Sequence, residues 1–180
     1  MPRAKKEDLH VATVALTPIK DKHLKKFLTM SIDMYAQSMV DSGEYPNRTV
    51  PDSLSRNEVN GYFPNGKLRE NEHIFSIANH KKEVIGTTWV TLIPEATLLR
   101  AFLVWIDIQP AHRRKGHAQE AMHAVETFLR ERSVHSLTLV VFAHNQQARQ
   151  LYQKLGYRVS RPKRYGSAVA PSRYEMRKFL

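Results

Sequence analysis

The sequence predicts an α/β (α+β) domain built on a mixed sheet, and three observations carry that prediction. Strand–helix–strand units fill the middle of the chain, where apolar spacing switches between periods near 2 and near 3.6. The run "TLLRAFLVWIDI" (97–108) is apolar almost throughout, as suits a strand covered on both faces. Stripes at helical spacing lie before it (Leu24 to Met39) and after it (Ala118 to Leu129).

The elements follow in order. "HVATVAL" (10–16) is β-rich and reads as a strand. After Thr17-Pro18, the residues Leu24, Phe27, Leu28, Ile32, Tyr35 and Met39 recur every three or four positions, giving a helix that ends near Gly43. "PNRTVPDS" (46–53) is a loop, and a second helix starts at Pro51 or Asp52 and runs to about Gly61. "FPNGK" (63–67) is a turn because of its Asn-Gly pair. Strands follow at 73–79, 83–93 and 97–108. A helix then buries Ala118, Ala121, Met122, Val125, Phe128 and Leu129. "LTLVVF" (137–142) is a buried strand. "NQQARQLYQKLGY" (145–157) is a helix opened by an Asn cap and closed at Gly156. "RVS" (158–160) is a short strand, "RPKRYGSAVAPS" (161–172) a basic loop, and "RYEMRKFL" (173–180) a last strand.

Length and composition set bounds. At 180 residues one domain spanning 1–180 is expected, with 42% apolar and 25% charged residues as in ordinary globular chains. Twenty-eight Lys and Arg against 17 Asp and Glu give a net charge of +11. Such a field attracts nucleic acid, anionic lipid or a phosphorylated cofactor, and a solvated basic surface fits equally well. The absence of cysteine excludes disulfides, a cysteine nucleophile and cysteine-ligated zinc. Nine histidines include no HxxxH or HExxH spacing, so no metal site is expected. "MPRAKKEDLH" has no apolar h-region, and no run approaches a membrane span. A soluble, cytoplasmic protein without membrane contact is the expectation.

The segment "WIDIQPAHRRKGHAQEAMHAVETFL" (105–129) holds the chemistry. A strand gives way to Pro110, three cations around Gly116, and a helix start. The first turn of a helix offers free N–H groups and a positive dipole end, which together bind phosphate. Gly116 allows close backbone approach, and Arg113, Arg114 and Lys115 add charge. By residue type alone, a solvated basic helix start remains an equal reading. Neither GxxxxGK[ST] nor GxGxxG is present.

"IQPAHRRKGHA" (108–118) resembles the pyrophosphate-binding segment of the GCN5-related N-acetyltransferase (GNAT) superfamily, through Ile108, Pro110, Arg113, Gly116 and Ala118. Downstream, Asn145, Ala148, Tyr152, Gly156 and Tyr157 are similar to that family's second motif. The resemblance is best over 83–160; "YAQSMVDSGEY" and "FPNGK" also look like one branch of the family. It implies a GNAT fold: a twisted, mostly antiparallel sheet of about six or seven strands, flanked by about four helices, with two parallel central strands that splay to admit acetyl-CoA.

The resemblance further implies roles. A bulge in the first of the two parallel strands would expose N–H groups near Trp105 to Ile108, so the backbones of Ile106 and Ile108 would face the pantetheine arm, with Ile108 donating to the thioester oxygen. The N–H groups from Arg113 through Arg114, Lys115, Gly116 and His117 to Ala118 would hold the diphosphate, helped by the first two side chains. The family often has Gly where Arg114 or Ala118 stands, and both residues are expected to sit in a right-handed turn. Asn145 would bond pantetheine while also capping its helix, with Ala148 alongside. Tyr152 would protonate the departing thiolate, since a phenol near pKa 10 outlasts a thiol near about 8.5; packing is its alternative role, and Tyr157 reads as structural. For the amine proton, Asp107, Glu44, Glu72 and a water relay are candidates. Trp89 and Trp105 read as core.

The expected activity is direct attack of an amine on acetyl-CoA in a ternary complex, with no metal. The acceptor is a small amine, a peptide N-terminus or a protein lysine, lined by 33–72 and 161–172 within acceptor-side elements 18–72 and 161–180. The positive net charge leans against a polyamine. A homodimer through the C-terminal strand stays open. Two rivals stand: an acetyl-CoA sensor without transfer, and a nucleic-acid binder using residues 3–6 and 161–164. The second lacks an RNP motif or helix-turn-helix spacing.

Overall fold

The computed structural model describes residues 14–64 and 67–180. Its elements are β1 (Val14–Pro18), α1 (Asp21–Asp41), α2 (Thr49–Gly61), β2 (Glu72–Asn79), β3 (Val84–Glu95), β4 (Leu98–Ile108), α3 (His117–Arg130), β5 (Val134–Phe142), α4 (Gln146–Lys154), β6 (Arg158–Lys163) and β7 (Arg173–Phe179). This is the expected order. Residues 10–13 of the first strand, the basic residues 3–6 and the Asn65-Gly66 pair lie outside the described residues.

One seven-stranded sheet runs β1-β2-β3-β4-β5-β7-β6. Every neighbouring pair is antiparallel except β4 and β5. That one parallel pair follows from the crossover through α3, which returns the chain to the end it left. The sheet separates two apolar layers. On one side Ala121, Met122, Val125 and Leu129 of α3 pack on Phe75, Ile77, Val90 and Leu103. On the other, Phe27 of α1 meets Ile74 and Trp89. The alternation Ile74/Phe75 and Trp89/Val90 across the two layers is the period of two that a strand imposes.

Several boundaries differ from expectation, among them three with a clear cause or a shift at an element start. The fifth strand starts at Val134, not 137, because Ser133 turns the chain in a left-handed conformation and Val134 then pairs with Leu99. The sixth strand runs on to Lys163, through part of the expected loop, because Lys163 and Pro162 pair with Arg173 and Tyr174. The second helix begins at Thr49, two residues early.

Candidate active site

The central strands part as the site requires. β4 and β5 pair from Leu99↔Val134, with one register shift before Arg100↔Ser136, to Leu103↔Leu139, and no pair follows, although β4 continues to Ile108 and β5 to Phe142. The divergence coincides with a bulge on β4. Trp89 pairs with Trp105 and Val90 with Leu103, which leaves Val104 unmatched. The bulge inverts the parity of the strand. Ala101 and Leu103 face α3 before it, and Ile106 and Ile108 face α3 after it, while Val104 and Trp105 both turn to the α1 layer.

The free edge of β4 presents donors to the gap. Gln109 N–H donates to Ile85 on β3 at 2.8 Å. Successive residues of a strand point their N–H groups to opposite sides, so those of Ile108 and Ile106 point away from β3, and the Ile108 N–H lies beside the Asp107 carboxylate, where it helps to lower that group's pKa. At Gly86, facing this stretch, any Cβ would collide with the carbonyl of Asp107, so β3 and β4 approach here only because the side chain is absent.

Beyond β4 the chain makes a short 3-10 turn (Pro110–His112) and reaches the N-terminus of α3. Gly116 is the cap residue, with φ +85° and open space where a Cβ would stand. The first intrahelical bond runs from Glu120 N–H to Gly116 at 3.1 Å. The N–H groups of His117, Ala118 and Gln119 therefore have no partner within the helix. His117 adds a buried Nδ1 with no hydrogen-bond partner among the described residues.

The three cations before Gly116 are used differently. Arg113 Nε donates to the Ile108 carbonyl at 2.6 Å, and its Nη2 to Asp107 at 3.0 Å. Lys115 Nζ donates to the Ala111 carbonyl at 3.0 Å. Arg114 is exposed. Its φ is +64°, so it does not sit in the right-handed turn expected for it. It occupies the left-handed region, which explains why glycine suits that position. Arg114→Gly should therefore stabilise the fold by about 0.5–1 kcal/mol, the strain relief less the entropy gained by the unfolded chain. The expected rise in Tm is about 2 °C, and Arg114→Ala should not give it.

The carboxylates singled out from the sequence are all engaged. Asp107 pairs with Arg113; burial pushes its pKa up, and the guanidinium opposes that rise. Glu44 is fully buried and accepts two bonds of 2.6 Å from Arg173 Nε and Nη2. Glu72 is buried beneath Trp89, accepting from its Nε1 at 2.6 Å and from Thr91 Oγ1 at 2.5 Å.

The second motif is on α4. Asn145 Oδ1 accepts from Ala148 N–H at 3.1 Å, the expected cap, and Asn145 is exposed, so its amide nitrogen can serve a ligand as well. Tyr152 is 7% exposed, and burial pushes its pKa up to about 12. Tyr157 is fully buried, with its hydroxyl donating to Glu126 at 3.0 Å.

Between the diverging strands and helices α1 and α2 lies a cavity of about 90 Å³. Tyr35, Glu58, Tyr62, Trp89, Trp105 and Arg173 are among its walls. Trp105 and Trp89 thus border an opening as well as the core. Glu58 escaped the sequence reading because one acidic residue on a polar helix face carries no signal of its own.

The chain belongs to the acetyltransferase (GNAT) family, whose model matches residues 35–157. It is an acyltransferase of that family. It is 30% identical over 148 residues to the uncharacterized N-acetyltransferase YycN of Bacillus subtilis, covering 81% of this chain and 92% of that protein. A second Bacillus subtilis relative, the uncharacterized N-acetyltransferase YdgE, is 30% identical over 142 residues, covering 79% and 90%. The crystal structure of YycN superposes with a TM-score of 0.77 at 29% identity, covering 83% of this chain and 94% of that one. Spermidine N-acetyltransferase from Vibrio cholerae, in complex with CoA and spermine, shares the fold at a TM-score of 0.65 and 18% identity, covering 94% and 96%.

Proposed function

We propose that the protein transfers the acetyl group of acetyl-CoA to an amine by direct attack in one ternary complex. The observation that carries this reading is the gap between β4 and β5 beyond Leu103 and Leu139, ending beside the unpartnered N–H groups of α3. A strand edge suits the amide-bearing pantetheine arm, which adds to it as an extra strand. A helix start suits the diphosphate. In this reading the N–H groups of residues 116–119 hold the diphosphate, and exposed Arg114 adds charge. Arg113 instead locks the end of β4 through the Ile108 carbonyl. Ile108 N–H meets the thioester oxygen, where attack builds negative charge. Asn145 holds pantetheine through its free amide nitrogen.

Tyr152 gives its proton to the sulfur as the C–S bond breaks, and the amine nitrogen takes the acetyl carbon. Glu44 and Asp107 are held by Arg173 and Arg113, so we assign the amine proton to a water chain reaching bulk solvent. The acceptor enters between 18–72 and 161–180. The test is thiol release from acetyl-CoA across a panel of primary amines. Amine-dependent release supports transfer. Tight acetyl-CoA binding with no release for any amine would instead favour a sensor.

A further inference from the structure

The cleft has two ends of opposite character. The α3 end carries free N–H groups and Arg114, so it is electropositive. The α1–α2 end is walled by Tyr35, Tyr62, Trp89 and Trp105, with the Glu58 carboxylate and the Arg173 guanidinium as its charges. Arg173 is spent. Glu44 takes it bidentately, and its Cζ lies 4.6 Å from the ring centres of both Phe142 and Tyr165. Glu58 is not spent. It is exposed and lines the cavity near the Tyr35 hydroxyl, whose pKa its charge helps to raise, and no ion pair neutralises it among the described residues. The Tyr62 hydroxyl registers the local field: burial first, then the charges of Glu58 and Glu72, push its pKa up to about 12. In a chain of net charge +11, this is a locally negative, aromatic-walled recess.

We infer that this recess is the seat for a single primary ammonium carried on an apolar stem, held by the Glu58 carboxylate and the walls of Tyr62, Trp89 and Trp105. The inference names the acceptor class for the acetyl transfer proposed above and rests on that reading. Three features converge on a cation with a slim stem. An unneutralised carboxylate beside low-dielectric walls attracts one positive charge. Tyrosine and tryptophan rings stabilise an ammonium and cover methylenes. A volume of about 90 Å³ has room for a few methylene-sized groups, not for a bulky head. One carboxylate inside a strongly basic protein selects a monocation over a polycation, whose further charges would meet the surrounding positive field.

The chain's only two tryptophans, Trp89 and Trp105, both line this cavity, so tryptophan fluorescence, excited selectively over the seven tyrosines, reads its occupancy. The whole protein is titrated with n-butylammonium chloride and, separately, with 1-butanol, in wild type and in Glu58→Gln. The expected result is a saturable change with butylammonium, weakened by added salt, and roughly tenfold or more weaker in Glu58→Gln, since a charge-assisted contact is lost. Butanol should bind wild type at least as weakly. Equal affinity for the two ligands, an unchanged Glu58→Gln titration, or no saturable response would overturn the inference. The salt dependence in wild type decides the matter on its own if the variant proves unstable. Adding Nα-acetyl-lysine amide shows whether the stem is lysyl: equal or tighter binding assigns it so, and weaker binding assigns a free small amine, both within the inferred class. Calorimetry with acetyl-CoA on the same samples separates the two layers. Loss of acetyl-CoA binding with butylammonium binding intact would sink the transfer reading and leave the recess as a cation site.

Discussion

Tyr152→Phe should lower kcat by about a hundredfold, the low end of what a positioned general acid contributes, while acetyl-CoA affinity stays within about twofold. Loss of contact with water raises the phenol to about 12, well above the ~8.5 of a thiol. At neutral pH the hydroxyl is therefore wholly in its acid form, able to hydrogen-bond the departing thiolate; the same rise makes it the weaker acid, so the proton moves only while solvent replaces it. The sign follows from that order. The acid form is present at every pH below about 12, so rising pH should increase kcat/KM as the amine deprotonates, with no falling limb from Tyr152 below that value. The ring itself packs in the core and against Tyr157, centroids 5.9 Å apart, and phenylalanine keeps that packing. Steady-state kinetics beside calorimetry check the split. Unchanged turnover in a folded variant would reduce Tyr152 to a packing residue.

Glu44→Ala should cost about 3–5 kcal/mol of stability, because it strands a buried guanidinium. Arg173 is only 11% exposed and its partner 0%. The pair also organises the acceptor end: Arg173 Nη1 donates to the Tyr35 hydroxyl at 2.6 Å, and the Glu44 carbonyl accepts from Ser167 N–H at 2.8 Å. A Cβ at Gly166 would strike that same carbonyl, so the loop after β6 docks on residue 44 only with glycine there. Urea unfolding measures the loss. Replacing Glu44 and Arg173 together by Met should cost less than Glu44→Ala alone, since no charge is left unpaired. Equal losses would mean that packing, rather than charge, sets the value.

Local pattern made much of this legible. The stripe of α3, the Asn145 cap, the turn at Gly116 and the element order all depend on spacings within a few residues, and each stands where the residues put it. What escaped depends on distant partners. Val134 joins β5 because Leu99 lies beside it, and Pro162 and Lys163 join β6 because β7 pairs with them. The bulge at Val104 lies in an apolar run with neither glycine nor proline to mark it, so the family resemblance pointed to a bulge near Trp105 while the run itself gave no sign of the parity change that puts Trp105 on the cleft. Glu44 and Arg173 meet across 129 positions, which turns a plausible base into half of an ion pair. Arg114 adopts a glycine conformation without being glycine. Glu58 gains meaning only once the walls around it assemble.

The proposed activity depends on an anion held at the start of α3 and an acyl arm laid along the free edge of β4. Calorimetric titration with acetyl-CoA, and with an acetyl-pantetheine lacking the diphosphate-bearing nucleotide, tests both at once. Micromolar binding of acetyl-CoA that collapses without the nucleotide is the predicted result, and Gly116→Val should weaken it by roughly tenfold or more through left-handed strain and the side chain placed in the open approach to the helix. No binding of either compound, or equal binding of both, would contradict it.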